Sequence, residues 1–249
     1  MINWKVFFAE FIGTFALVFI GAGAGVAGAG LIGVALAHGL TLMVFAYVFG
    51  YISGTHVNPA VTWAFLWNGT LKWGEAAVYW VAQFVGAISA AGLLHLFASA
   101  MGSSINAGAT VGVMTESQPI LAMVAEAVMT FFLINTILHT AVAGKGGPMT
   151  GAAIGMTLTA AILVGGPLTG ASLNPARTLG TAIYTAPSLA NVYTYVIYLF
   201  GPLIGSTAAL LAYNFFNASE EPKAVSMEAA PERTAKKTVA RKPAPKAKK

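Results

Sequence analysis

The 249 residues are 57% hydrophobic and only 8% charged, and no charged side chain falls between Glu10 and Lys72. About 20 apolar residues suffice to cross a bilayer, so this composition excludes a soluble domain and points to an integral membrane protein; the absence of cysteine excludes disulfide and thiol chemistry. The formal charge of +5 belongs to the C-terminus. Residues 1–217 balance four bases (Lys5, Lys72, Lys145, Arg177) against four acids (Glu10, Glu75, Glu116, Glu126), whereas residues 218–249 hold nine bases and four acids.

The first apolar run, 5–27, loosely resembles a signal peptide but has no cleavage site leading into a polar mature start, so it is read as a retained span. It carries Glu10 and Thr14. A second span follows at 33–53, with His38 near its outer end. The turn-prone Ser53-Gly54-Thr55 then leads to Asn58-Pro59-Ala60 and a short apolar piece, 59–67. Proline is well tolerated at the first helical position, so a helix is predicted to start at Pro59. At 1.5 Å per residue about ten residues reach only ~15 Å, half of the ~30 Å hydrocarbon core. A third span is placed at 76–98, a loop at 99–118, a fourth span with Glu126 and Thr130 at 119–142, and a fifth at 150–167. Thr169-Gly170-Ala171 and Asn174-Pro175-Ala176 then repeat the earlier pattern, with a second half-helix over 175–184 and a last span over 192–215. The Lys-, Ala- and Pro-rich tail, 218–249, has no apolar period and is read as disordered. It suits anionic lipid headgroups at ~1 kcal/mol per basic residue and offers no folded platform for nucleic acid.

Three features share one offset. The Asn-Pro-Ala triplets are 116 residues apart (174 − 58), and so are Glu10 and Glu126 and the Gly-x-Thr-Leu runs at Gly39 and Gly155. The channel part, 1–217, is therefore a duplicated unit (about 5–98 and 119–215). Each unit has three spans, so the two enter the membrane in opposite senses. The fold class is an all-α membrane protein: six transmembrane helices and two re-entrant half-helices in an inverted repeat, an arrangement that places sites near the midplane. Lys5, Lys72, Lys145 and the tail fall on one side, which the positive-inside rule makes cytoplasmic, together with both termini. Glycine pairs four apart (Gly21/Gly25, Gly50/Gly54, Gly166/Gly170, Gly201/Gly205) are read as helix-packing positions.

Opposed half-helices aim two positive helix ends, each worth about half an elementary charge, at the midplane. Asn58 and Asn174 stand at these ends with two amide donors each, able to hold a water oxygen and turn its hydrogens away. The backbone carbonyls of Gly54, Thr55, His56 and Val57, and of Gly170, Ala171, Ser172 and Leu173, would line the way to them, since non-helical backbone at this depth must face protein or a water-filled cavity. Arg177, which follows the second triplet where Val61 follows the first, is read as a pore-lining donor. Glu10 and Glu126 are read as structural acceptors for the uncoiled backbone N–H groups, with a proton relay as the other reading. His38, His56, His95 and His139 lack metal-ligand spacing, so neither a metal nor a cofactor is expected.

These residues resemble the major intrinsic protein family of aquaporins and aquaglyceroporins. The carriers are Ala9-Glu10-Phe11-x-Gly13-Thr14, Ser53-Gly54-x-His56-Val57-Asn58-Pro59-Ala60-Val61-Thr62, Ala82-Gln83-x-x-Gly86, Ala125-Glu126, Ser172-Leu173-Asn174-Pro175-Ala176-Arg177-Thr178 and Gly201-Pro202-x-x-Gly205. The resemblance implies one pore per subunit, a homotetramer in the cell membrane, and no enzymatic activity. Exclusion of cations by an arginine and half-helix dipoles is already known for aquaporin-type pores. It also implies an outer constriction of His38, Ile162, Ala171 and Arg177, a set similar to that of tonoplast intrinsic proteins rather than of strict water filters. Ile162 and Ala171 make it less polar on one wall. Water is the expected solute, with ammonia and hydrogen peroxide as further small neutral candidates. A glycerol facilitator is the alternative, disfavoured by Thr178 where glycerol-conducting relatives carry Asp. An ion-coupled transporter would need more midplane acids than Glu10 and Glu126.

Overall fold

The computed structural model describes residues 2–218. Beyond Ala218, the basic tail read from the sequence lies outside the described residues. The helices are α1 (Trp4–Val26), α2 (Gly30–Ser53), α3 (Pro59–Trp67), α4 (Trp73–Ala100), α5 (Met114–Ser117), α6 (Pro119–Ile137), α7 (Thr150–Thr169), α8 (Pro175–Ala182), α9 (Val192–Tyr195) and α10 (Gly201–Asn217). A π-helical turn at Leu138–Val142 extends α6, and another at Val196–Phe200 joins α9 to α10. Six spans of 23 to 28 residues are long and apolar enough to cross a membrane among the described residues. The protein is an all-α, six-span membrane fold in which α3, α8 and the one-turn α5 are too short to cross.

Local chemistry sets the boundaries. Asn58 and Asn174 are N-caps with extended backbones, followed by Pro59 and Pro175 in the first turn. α4 starts at Trp73, three residues before the expected 76, because the Glu75 carboxylate accepts the Lys72 N–H at 2.9 Å and closes the first turn. α7 runs through Pro167 to Thr169, two residues past the expected end, and is stopped by Gly170 at φ 84°. α2 ends in the same way at Gly54, φ 81°; a left-handed cap of this kind favours glycine. The second half-helix ends at Ala182 rather than 184. The segment expected as a loop, 99–118, contains a 3₁₀ turn (Ile105–Gly108) and α5.

Packing follows the duplication. α1 lies between α2 and α4, α6 between α7 and α10, and α2 meets α7 at the seam between repeats. At that seam a Cβ on Gly39 or Gly155 would strike the other residue's carbonyl oxygen. Within the repeats, Gly86 lies on the Phe11 carbonyl and Gly205 on the Ala127 carbonyl. The four-residue glycine spacing is thus only part of the packing pattern, and one pair read from it is corrected. Gly50 has nothing within 4 Å of its would-be Cβ and Gly54 is a helix cap. The half-helices dock across the seam. α3 rests on α10, where Ser206 Oγ donates to the Ala60 carbonyl at 2.7 Å and Trp63 Nε1 donates to Thr207 Oγ1 at 3.0 Å. α8 rests on α4, with Gly180 against Ala87.

A candidate pore between the half-helices

The chain between α2 and α3, and between α7 and α8, is held extended by buried acids. Glu10, fully buried in α1, accepts from Ser53 Oγ (2.6 Å), His56 N (2.9 Å), Val57 N (2.7 Å) and Gln83 Nε2 (2.8 Å). Glu126 accepts from Thr169 Oγ1 (2.6 Å), Ser172 N (2.9 Å) and Leu173 N (2.8 Å). Thr55 N and Ala171 N donate to the hydroxyls of Ser53 and Thr169. The N–H groups of both segments therefore point into protein. The carbonyls of Gly54, Thr55, His56, Gly170, Ala171 and Ser172 accept no hydrogen bond among the described residues. Four non-glycine residues pay for this geometry with left-handed backbones: Thr55 (φ 52°), Val57 (43°), Ala171 (44°) and Leu173 (54°). Such conformations are costly for L-residues and persist only when their surroundings over-determine them.

The two asparagines bond reciprocally. Asn58 Nδ2 donates to the Leu173 carbonyl and Asn174 Nδ2 to the Val57 carbonyl, both at 2.8 Å. The Val57 and Leu173 oxygens, read from sequence as pore-lining acceptors, each take one of these bonds, and both residues line the adjoining cavity. One N–H of each amide remains available. The side-chain oxygens cap the half-helices, Asn58 Oδ1 on Ala60 N at 2.8 Å and Asn174 Oδ1 on Arg177 N at 3.2 Å. Capping and pore lining are thus compatible duties of the same residue.

A cavity of about 570 Å³ runs past both asparagines. Its lining is apolar at Leu42, Val61, Ile137 and Leu158 and polar at Thr55, His56, Ser172 and Asn174. His38 and Arg177 share this cavity. His38 Nδ1 donates to the Val34 carbonyl at 2.9 Å, and its ring lies so close over Gly21 that a Cβ there would collide with it. His38 Nε2, Arg177 Nε and Arg177 Nη1 are buried without a hydrogen-bond partner among the described residues. Ile162 and Ala171 do not line the cavity, and neither does Gly170. Both apolar residues are 3% exposed and belong to the cluster with Met129, Leu133 and Leu158, while the loop between α4 and α5, at Thr110–Val111, covers Gly170.

Several participants carried no role in the sequence reading. Ser53 and Thr169 sit at the 116-residue offset and were legible there (169 − 53). Tyr79 and Tyr198 donate to the last carbonyls of α2 and α7, Ser53 O at 2.7 Å and Thr169 O at 2.6 Å, but they are 119 apart (198 − 79), as are Gly86 and Gly205. Three extra residues between α8 and the last span hide this symmetry. Thr110 had no signal at all.

The comparisons agree with this geometry. Residues 1–213 match the family described as Major intrinsic protein. Aquaporin TIP1-2 of Zea mays is 40% identical over 236 residues, 88% of each chain. The Glycerol uptake facilitator protein-like 6 of Lactiplantibacillus plantarum is 40% identical over 211 residues, 82% of this chain and 94% of that protein. The aquaglyceroporin from Plasmodium falciparum, 24% identical, superposes with a TM-score of 0.75 over 85% of this chain and 95% of that one, which shows the shared fold. Twin Asn-Pro-Ala helix starts, held by repeated buried acids in six spans, place the chain in the major intrinsic protein family, whose members are passive channels rather than enzymes.

Proposed function

We propose that the chain is a passive channel for water, with ammonia and hydrogen peroxide as further small neutral solutes, that refuses ions and protons. The observation that carries this reading is the cavity lined by Asn58, Asn174, His38 and Arg177 together with apolar side chains such as Leu42, Val61, Ile137 and Leu158. A solute sheds most of its hydration among the apolar side chains and regains hydrogen bonds at the polar ones. A cation meets two helix N-termini and a guanidinium, which raise its barrier. A water at the asparagines meets donors only, so its oxygen is held and its hydrogens point away along the pore.

Glycerol is the second reading. It is favoured by the relative named a glycerol uptake facilitator and by the apolar character of Ile162 and Ala171, which the family resemblance assigns to the constriction with His38 and Arg177. The orientation with both termini cytoplasmic rests on Lys5, Lys72 and Lys145, which the alternation of six spans puts on one side of the membrane. A homotetramer in the cell membrane completes the reading.

The test is parallel flux through purified protein in liposomes. Water and ammonia should exceed empty liposomes without saturating and without an ion gradient, and glycerol should be slower than both. Glycerol flux matching water would favour the second reading. Saturable or gradient-driven flux would overturn both.

A further inference from the structure

The two half-helices are supported differently, and the difference involves the outer loop. In the first repeat, Gln83 Nε2 in α4 donates to Thr62 Oγ1 at 3.0 Å as well as to Glu10. Thr62 in turn meets His56 Nδ1 at 3.1 Å and the Asn58 carbonyl at 3.3 Å. By the 119-residue offset of the last spans, the place of Gln83 in the second repeat falls at 202 (83 + 119), which is Pro202. A proline has no side-chain donor. The missing donor comes from elsewhere: Thr110 Oγ1, in the loop between α4 and α5, donates to Thr178 Oγ1 at 2.8 Å. Thr178 passes the chain on to Ser172 Oγ, which donates to the Asn174 carbonyl at 2.8 Å. Thr110 and Thr178 are fully buried.

The loop is fixed on both sides of this contact. Thr110 and Val111 backbone lies on Gly170, and Gly112 on Leu168 and Thr169, where any Cβ would collide. Val113 N donates to the Pro167 carbonyl at 3.0 Å. Thr115 meets Tyr198 OH at 3.0 Å, and the same phenol donates to Thr169 O. Ser172 lines the cavity, and Thr178 is the chain neighbour of Arg177.

We propose that Thr110 is a positioning residue for solute discrimination: its hydroxyl, standing in for the glutamine that the second repeat lacks, holds the Thr178–Ser172–Asn174 chain and so the seat of Arg177. The outer loop thereby takes part in setting which neutral solutes pass, without touching them. This rests on the passive-channel reading.

The test compares glycerol and water permeability of wild type, Thr110→Val, Thr110→Ser and Thr178→Val in liposomes, normalised to reconstituted protein. Losing the donor should raise the glycerol-to-water ratio about three- to tenfold, the range that one net buried hydrogen bond corresponds to. Thr110→Ser should restore the wild-type ratio, which a purely packing role for the threonine methyl would not allow. Thr178→Val cuts the chain from the α8 side and should move the ratio the same way, so a failure of Thr110→Val to assemble leaves the proposal open to refutation. An unchanged ratio in the assembled variant, or a parallel fall of both fluxes, overturns it. Wild-type swelling no faster than empty liposomes would instead sink the channel reading itself.

Discussion

Arg177 is 4% exposed, yet two of its nitrogens have no hydrogen-bond partner among the described residues. Burying a guanidinium without full compensation is expensive, and its donors sit beside a cavity that also takes in His38. The guanidinium on the cavity lining suits a donor to a passing water or ammonia, and its fixed charge suits rejection of cations. Arg177→Val should therefore raise proton or cation leakage by about tenfold or more, equivalent to ~1.4 kcal/mol off the barrier, while water flux persists. Dissipation of a pH gradient across proteoliposomes measures it, and an unchanged leak would refute the role. The residue scale is also where sequence reading was strongest. The matched Asn58 and Asn174, Glu10 and Glu126, and the lone Arg177 were visible because a polar residue in apolar sequence needs a reason. The left-handed Val57 and Leu173 were not visible: nothing in a β-branched or leucine side chain announces a conformation imposed by two N–H bonds to a distant carboxylate.

At the scale of elements, the half-helices work because others hold them. α3 leans on α10 and α8 on α4, so each repeat's short helix is fixed by the other repeat's last span. The seam between α2 and α7 depends on Gly39 and Gly155, whose backbones touch. Gly155→Ala should cost about 1–3 kcal/mol, typical of forced overpacking. Gly74→Ala, in a position with nothing within 4 Å, should be neutral or add up to about 1 kcal/mol. Thermal unfolding of the two variants in one detergent reads the contrast, and equal midpoints would mean that the seam yields. The element pattern was legible because hydropathy and the 116-residue offset both survive in the sequence. The pairing of Tyr79 with Tyr198 was obscured by a three-residue shift. The supporting loop contact was illegible because Thr110 belongs to neither repeat's pattern.

On the scale of the whole molecule, the outward faces are apolar: Ile32, Leu36, Leu40, Val44 and Val48, spaced four apart, form an exposed stripe on α2, and Ile120, Val124, Val128 and Phe132 another on α6. Lipid or further copies of the chain can cover them. Inside, the reciprocal amide bonds, Asn58 to the Leu173 carbonyl and Asn174 to the Val57 carbonyl, have the logic of an isologous dimer interface, in which residue i meets j and j meets i. A chain cut in the exposed turn at Gly102, where a Cβ would meet nothing, should therefore reassemble when fragments 1–102 and 103–249 are made together, and swelling assays should find flux for the pair and for neither fragment alone. The meeting point of the half-helices is then a joint with a molecular dyad rather than a property of either arm. Any ancestor with a single arm could have made such a passage only by meeting its own twin inserted upside down.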